Sequence, residues 1–130
     1  DKSLATIPNF QFAEKAVINY SKTTNRRINW VIGLEYRTSA DQIKKIKEQV
    51  EKYISQSDLF SKEGDTFITI QVEQFAASSI DLRLICFTKT SQYLEWMRVK
   101  DILAIEIKSI VERNNASFAF PSTSIYVEKN

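Results

Sequence analysis

The stretch RRINWVIGLEYRTSADQ, residues 26–42, decides the fold, because a strand pattern gives way to a helix start within it. Apolar and aromatic side chains take every second position of its first part: Ile28, Trp30, Ile32, Leu34 and Tyr36. This alternation predicts a β-strand over Arg26–Tyr36 with one buried face. Because Val31 and Gly33 make the opposite face less polar, the strand is expected to be central in its sheet and covered on both sides.

The helix that follows has a strong start signal. Ser39 suits the N-cap position, and Gln42 three residues later completes a capping box. An apolar stripe recurs at helical spacing after this start: Ile43, Ile46, Val50, Tyr53 and Ile54. Lysines and glutamates occupy the other face, so an amphipathic helix is expected to begin at Ser39 and end near Ser57.

The next part of the chain predicts two more strands and a second long helix. Strands are expected over Phe67–Gln74 and Ile80–Thr88, and the small residues Ala76–Ser79 are expected to join them as an antiparallel hairpin. The second helix is expected from about Ser91, a candidate N-cap, to about Arg113. Its apolar stripe is expected in the core: Trp96, Val99, Leu103, Ile107 and Ile110. An asparagine pair follows the helix and is expected to end it in a left-handed conformation.

Both ends of the chain add short strand candidates. Before residue 26 these are Ser3–Ile7 and Ala16–Tyr20, and after the second helix the candidate is Ser124–Val127. A turn is expected at Ile7-Pro8-Asn9, because Pro8 lacks an amide donor and Asn9 tolerates the left-handed conformation. The fold class is therefore α+β: a ferredoxin-like β-α-β-β-α(-β) domain preceded by the last strands of a β domain. The expected divisions are 1–21 for the end of the β domain, 22–117 for the ferredoxin-like domain and 118–130 for a tail with a terminal strand.

Composition is typical of a globular protein and gives little reason to expect nucleic acid as a partner. The 130 residues are 43% hydrophobic and 26% charged, and the net charge is only +2. No apolar run approaches the roughly 20 residues that cross a bilayer. The chain starts at Asp1, in what reads as the middle of a fold, so it is expected to be a piece of something longer.

Residue types argue against an enzyme. The chain has no histidine, which removes the usual acid–base residue, and its two glycines cannot form a phosphate-binding loop. The single cysteine, Cys86, lies in an alternating run and is expected to be an inert core thiol. Without histidine, one cysteine does not make a zinc site of ordinary composition. No catalytic residue, metal ligand or cofactor is therefore predicted.

Two binding functions stay open from the topology alone, namely a small-molecule module and an RNA-binding module. Trp30, Tyr36 and Phe87 could in principle stack on bases, although the basic-glycine-aromatic signature of RNA-recognition domains is missing. The pair Arg26-Arg27 is a candidate for phosphate or lipid head groups, but pairing with nearby carboxylates is the preferred interpretation.

Several short motifs, taken in order, resemble the small-conductance mechanosensitive channel family. They are Ile7-Pro8-Asn9, Val17–Ser21, Arg26-Arg27, Ile32–Tyr36, Asp41–Ile43, Ala77–Ile80, the helix around Trp96 and Phe120-Pro121. The resemblance covers essentially the whole chain and implies the cytoplasmic cage of such a channel, on the cytoplasmic side of the bacterial inner membrane. It also implies a homo-oligomer, usually a heptamer, whose pore segment lies before this chain. Ions and small osmolytes released under hypo-osmotic tension would pass through the cage.

A candidate subunit interface lies after the second helix. Phe118, Phe120 and Pro121 follow the regular core, so they are expected to pack either against a neighbouring subunit or within the chain. The resemblance further implies that Ser124–Val127 assembles with its counterparts in other subunits, which adds Ile125 and Val127 to the interface.

Overall fold

The computed structural model describes residues 25–120, which form a three-stranded antiparallel sheet with two helices. The elements follow the order β-α-β-β-α: β1 (Arg27–Leu34), α1 (Ala40–Gln56), β2 (Thr69–Phe75), β3 (Ile80–Phe87) and α2 (Tyr93–Arg113). The predicted α+β class and element order are confirmed. The expected strands Ser3–Ile7, Ala16–Tyr20 and Ser124–Val127, with the turn at Ile7-Pro8-Asn9, lie outside the described residues.

Among the three named strands β3 is central, whereas β1, expected to be central, has β3 on one side and only a short pairing with the segment after α2 on the other. The sheet order is β1-β3-β2, with Ile28 opposite Cys86 in one pair and Ile70 opposite Leu84 in the other. The expectation that β1 is covered on both faces was wrong, since Val31 is about half exposed. A valine is apolar enough to mimic a buried position, although an open sheet face also tolerates it.

The core lies between the sheet and the two helices. Along β3 buried and half-buried residues alternate, which places its buried side chains on the helix side. The helices contribute the buried side chains Ile46, Val50, Ile54, Trp96, Val99, Leu103, Ile107 and Ile110. The core role expected for Trp96 and Cys86 is confirmed. Burial raises the pKa of the Cys86 thiol to about 12, so the thiol stays protonated at neutral pH.

The predicted helix ends are confirmed in part. Ser39 and Gln42 form the predicted capping box. The second helix has Gln92 as its N-cap, and not Ser91, and no side chain caps it. At the other end Asn115 takes the left-handed conformation, with φ at 61°. The amide of Asn115 donates to Glu112 O over 2.9 Å, and that of Ala116 donates to Val111 O over 3.1 Å, which is the Schellman pattern.

Strand β2 is the least buried and least regular of the three strands. It begins at Thr69, two residues later than predicted, because Phe67 and Ile68 lie outside the regular ladder. Only Ile70 is buried among its residues, and a bulge interrupts the pairing with β3 between Val72 and Gln74. The bulge reverses the alternation expected from the sequence and moves Phe75 opposite Ile80.

Candidate assembly surface

The residues after α2 return to the sheet and lie along the free side of β1. The amide of Glu35 donates to Ser117 O over 3.1 Å, and the amide of Ala119 donates to Gly33 O over 2.9 Å. Phe118 therefore lies opposite Leu34 in an antiparallel bridge. This short pairing takes the position that a fourth strand has in a ferredoxin-like sheet.

The two predicted interface aromatics within this segment differ in exposure. Phe118 is 37% exposed, because its bridge to Leu34 holds it against the edge of the sheet. Phe120 is 78% exposed. Pro121, Ile125 and Val127 lie outside the described residues. The subunit interface as a whole stays a prediction.

A hydrogen-bonded clamp fixes where the segment leaves α2. The Gln42 side chain accepts from the Ser39 amide over 2.7 Å, as the capping box requires. The same side chain donates from Nε2 to Asn114 O over 2.8 Å and to Asn115 O over 3.1 Å. Gln42 therefore joins the start of α1 to the end of α2. The capping box could be predicted from the sequence. The contact of Gln42 with Asn114 and Asn115 could not, because these residues lie more than 70 positions further along the chain.

A row of apolar side chains crosses the sheet at this end. Phe75 lies opposite Ile80, Ile80 opposite Leu34, and Leu34 opposite Phe118, so all four side chains are on the helix side. The inner two are buried, whereas Phe75 is 69% exposed.

Tyr36 extends the exposed end of the row. Its ring stacks on that of Phe75, with centroids 6.4 Å apart, and its hydroxyl donates to Ala76 O. The sequence placed Tyr36 on the buried face of β1, but β1 ends at Leu34 and the Tyr36 ring is about half exposed. Phe75 was missed altogether. Its only local signal is an aromatic residue directly before a loop of small residues.

The opposite end of the domain carries a cation–aromatic cluster. The Arg26 guanidinium lies 4.7 Å from the Trp96 ring centroid and 5.5 Å from that of Tyr93. Lys100 Nζ lies 3.7 Å from the same Trp96 centroid. Neither arginine of the pair Arg26-Arg27 forms a salt bridge within residues 25–120, so the preferred interpretation, pairing with carboxylates, finds no support in that range. Aromatic rings from α2 provide the contact of Arg26 instead.

The outer face of the sheet does not present a set of stacked aromatics for RNA. Trp30 lies on the helix side and packs against the core, whereas Phe87 lies on the outer side, opposite Arg27. Phe87 packs edge-to-face with Phe67 at 5.3 Å. The centre of this face is held by Arg83, which bonds Glu73 and Asn29, both over 2.9 Å. The three candidate stacking residues therefore do not share one face.

Features expected of a catalytic, metal or small-molecule site are few in the part of the chain that the structure describes. Residues 25–120 hold no group of three or more acidic or cysteine side chains placed to bind a metal ion. Two grooves, one beside Gln42 and one beside Lys62, are lined mainly by polar side chains. Small-molecule pockets usually have apolar walls. Neither helix in this range is long and apolar enough to cross a membrane.

The chain is similar to proteins of one family. The family described as "Mechanosensitive ion channel MscS, C-terminal" matches residues 28–118. An uncharacterized MscS family protein of Aquifex aeolicus is 31% identical over 129 residues, which is 99% of this chain and 34% of that protein. The low conductance mechanosensitive channel YnaI of Escherichia coli is 33% identical over 122 residues, which is 94% of this chain and 35% of that protein.

Solved structures agree in fold. The crystal structure of Helicobacter pylori MscS in the closed state has a TM-score of 0.59 at 23% identity, covering 76% of this chain and 36% of that one. The cryo-EM structure of Arabidopsis thaliana MSL1 has a TM-score of 0.64 at 16% identity, covering 78% of this chain and 36% of that one. The chain therefore spans about a third of the length of these relatives.

Proposed function

The chain belongs to the MscS family of mechanosensitive ion channels, and from that premise we propose that it forms part of a cytoplasmic cage below a tension-gated pore. The observation that carries the proposal is the family match over residues 28–118, which includes nearly all of the five elements. The cage would hold the subunits together, and ions and small osmolytes released on hypo-osmotic tension would pass through it. Its position would be the cytoplasmic side of the bacterial inner membrane, and its role would be non-enzymatic.

Self-assembly is the second part of the proposal. Phe120 exposes most of a large apolar side chain, which costs free energy in water and favours a contact with another subunit. In this proposal Phe118, Phe120, Pro121, Ile125 and Val127 contribute to contacts between subunits, in a ring that we expect to contain seven copies. Residues 118–130 act as the assembly tail, and residues 22–117 as the wall of the cage.

The end of a preceding β domain completes the proposal. Residues 1–21 would belong to that domain, with its last turn at Ile7-Pro8-Asn9. The membrane would then be reached only through segments that precede this chain in the protein.

A hypo-osmotic shock assay on the full-length protein tests the proposed function. The protein is expressed in a bacterial strain that lacks its own mechanosensitive channels, and survival is counted after transfer from high to low osmolarity. Survival well above that of the empty-vector strain, together with tension-activated currents in membrane patches, is the expected result. Normal expression in the membrane with neither rescue nor currents would contradict the proposal.

A further inference from the structure

The cation–aromatic cluster at the start of α2 holds hydrogen-bond donors that have no acceptor. It consists of Arg26, Tyr93, Trp96 and Lys100. The Arg26 guanidinium, the Lys100 ammonium and the Tyr93 ring lie 4.7, 3.7 and 5.8 Å from the Trp96 ring centroid. Each of the four side chains carries at least one N–H or O–H donor, and none of them donates to another residue of the range 25–120.

Two of these donors are buried. Arg26 Nε and Trp96 Nε1 have almost no solvent-accessible surface and no hydrogen-bond partner. The Trp96 residue as a whole is only 5% exposed. A buried N–H group without an acceptor has lost its hydrogen bond to water and gained none in return, which destabilises the folded state. An acceptor from outside the described residues is therefore favoured at this place.

The cluster is positively charged and lacks a counter-charge. Because Arg26 and Lys100 both lie over the Trp96 ring, their charges are within about 10 Å, the distance over which charges interact in 0.1 M salt. Neither forms a salt bridge with another residue of the described range. The acidic neighbours on α2 point elsewhere, since at about 100° per residue Glu95 and Asp101 lie roughly 100° and 140° around the helix from Trp96. The missing acceptor should therefore carry negative charge.

A ligand can reach the cluster from solvent. Arg26 and Lys100 are half-buried, and Tyr93 is 55% exposed. Because no hydrogen bond holds the Arg26 side chain, its guanidinium can move toward a ligand and uncover Nε without breaking one. No side chain caps the amino end of α2, so its helix dipole also favours a negative group nearby.

We propose that the cation–aromatic cluster binds a small oxyanion, either phosphate or a carboxylate. The planar guanidinium of Arg26 suits two oxygens of such a group, and the ammonium of Lys100 supplies a second positive charge. Arg27 is not part of the site, because it lies on the outer side of the sheet, opposite Phe87. The inference goes beyond the proposed channel function and does not rest on it.

Tryptophan fluorescence of the full-length protein tests the site. The emission of Trp96 is taken as the difference between the wild type and Trp96→Phe, and it is followed while sodium phosphate or sodium acetate replaces sodium chloride at constant pH and ionic strength. We expect a saturable change, since a bound oxyanion would draw the Arg26 guanidinium away from the indole ring.

Two variants and a control connect this signal to the cluster. Arg26→Gln and Lys100→Gln, each measured against the same variant with Trp96→Phe, should weaken binding about tenfold or more. The control Lys44→Gln removes a positive charge at an exposed position of α1, and its affinity should stay within about twofold of the wild type.

The outcomes decide the site independently of the channel function. Saturation by phosphate, by acetate or by both supports the site and identifies the anion that it takes. No saturable change with either anion, or equal affinities in Lys100→Gln and Lys44→Gln, would overturn it. Lys100→Gln keeps this comparison available if Arg26→Gln fails to accumulate. The shock assay bears only on the channel function, so either proposal can fail without the other.

Discussion

At the residue scale, the single side chain of Gln42 connects the start of α1 to the end of α2. Its oxygen completes the capping box of α1, and its nitrogen donates to two carbonyls at the end of α2. Each bond alone is modest, but both ends of the side chain are used at once. The path of the chain from α2 to Phe118 therefore depends on the side-chain amide of Gln42. Another residue that only favours a helix start would not make these two hydrogen bonds.

Gln42→Glu separates these two roles. Glutamate keeps the capping box, but its carboxylate would face the carbonyls of Asn114 and Asn115 in place of a donor. We expect the free energy of unfolding to fall by about 1–2 kcal/mol in urea denaturation of the chain. The control Gln56→Glu makes the same chemical change at an exposed position, and because it lies at the carboxyl end of α1 the helix dipole should limit its cost to about 0.3–1 kcal/mol. Equal effects at both sites would show that the clamp contributes nothing.

At the element scale, features set by neighbouring residues could be predicted from the sequence, whereas contacts between residues far apart in the sequence could not. The capping box, the alternation along β3 and the asparagine stop after α2 all follow from neighbouring residues. The end of β1 could not be read, because Tyr36 continues the strand pattern while its ring stacks on Phe75. The ring contacts of Arg26 depend on a helix far along the chain. For the same reason, the sequence did not identify Phe75 or the start of α2 as candidate surfaces.

Asn115 tests the C-terminal stop of α2. Its backbone is left-handed, which asparagine tolerates better than residues without a short polar side chain. Asn115→Ala should lower the free energy of unfolding by about 1 kcal/mol, whereas Asn115→Gly should leave it unchanged or raise it slightly. Urea denaturation of the three proteins measures the order. Alanine as stable as glycine would mean that the left-handed position carries no strain.

At the scale of the whole molecule, the described domain leaves large apolar side chains exposed on several sides. Phe120, Leu94 and Phe75 are each more than two-thirds exposed. Exposed apolar surface is a feature of protein–protein interfaces. These surfaces agree with the proposed role as one wall segment of a larger assembly.

Phe120→Ser should weaken that assembly. Burial of an exposed phenylalanine contributes about 1.5–3 kcal/mol per subunit, so the loss should raise the dissociated fraction of the full-length protein on dilution. Native mass spectrometry in detergent measures this fraction. Ile105→Ser, which removes an exposed apolar side chain from the middle of α2, is the control and should change it less. An unchanged subunit distribution for Phe120→Ser would contradict a role of this residue in assembly.

The bulge in β2 has a consequence for the proposed assembly of several copies. β2 is the last strand in the order β1-β3-β2, so its outer side is a row of unpaired backbone groups within the described sheet. The bulge at Glu73 bends this row, and the Glu73 side chain carries a charge beside it. A flat, neutral edge would recruit strands from other copies without limit and lead to fibrils. The irregular strand thus disfavours open-ended pairing between sheet edges, and in the proposed assembly it would let association stop at a closed number of subunits.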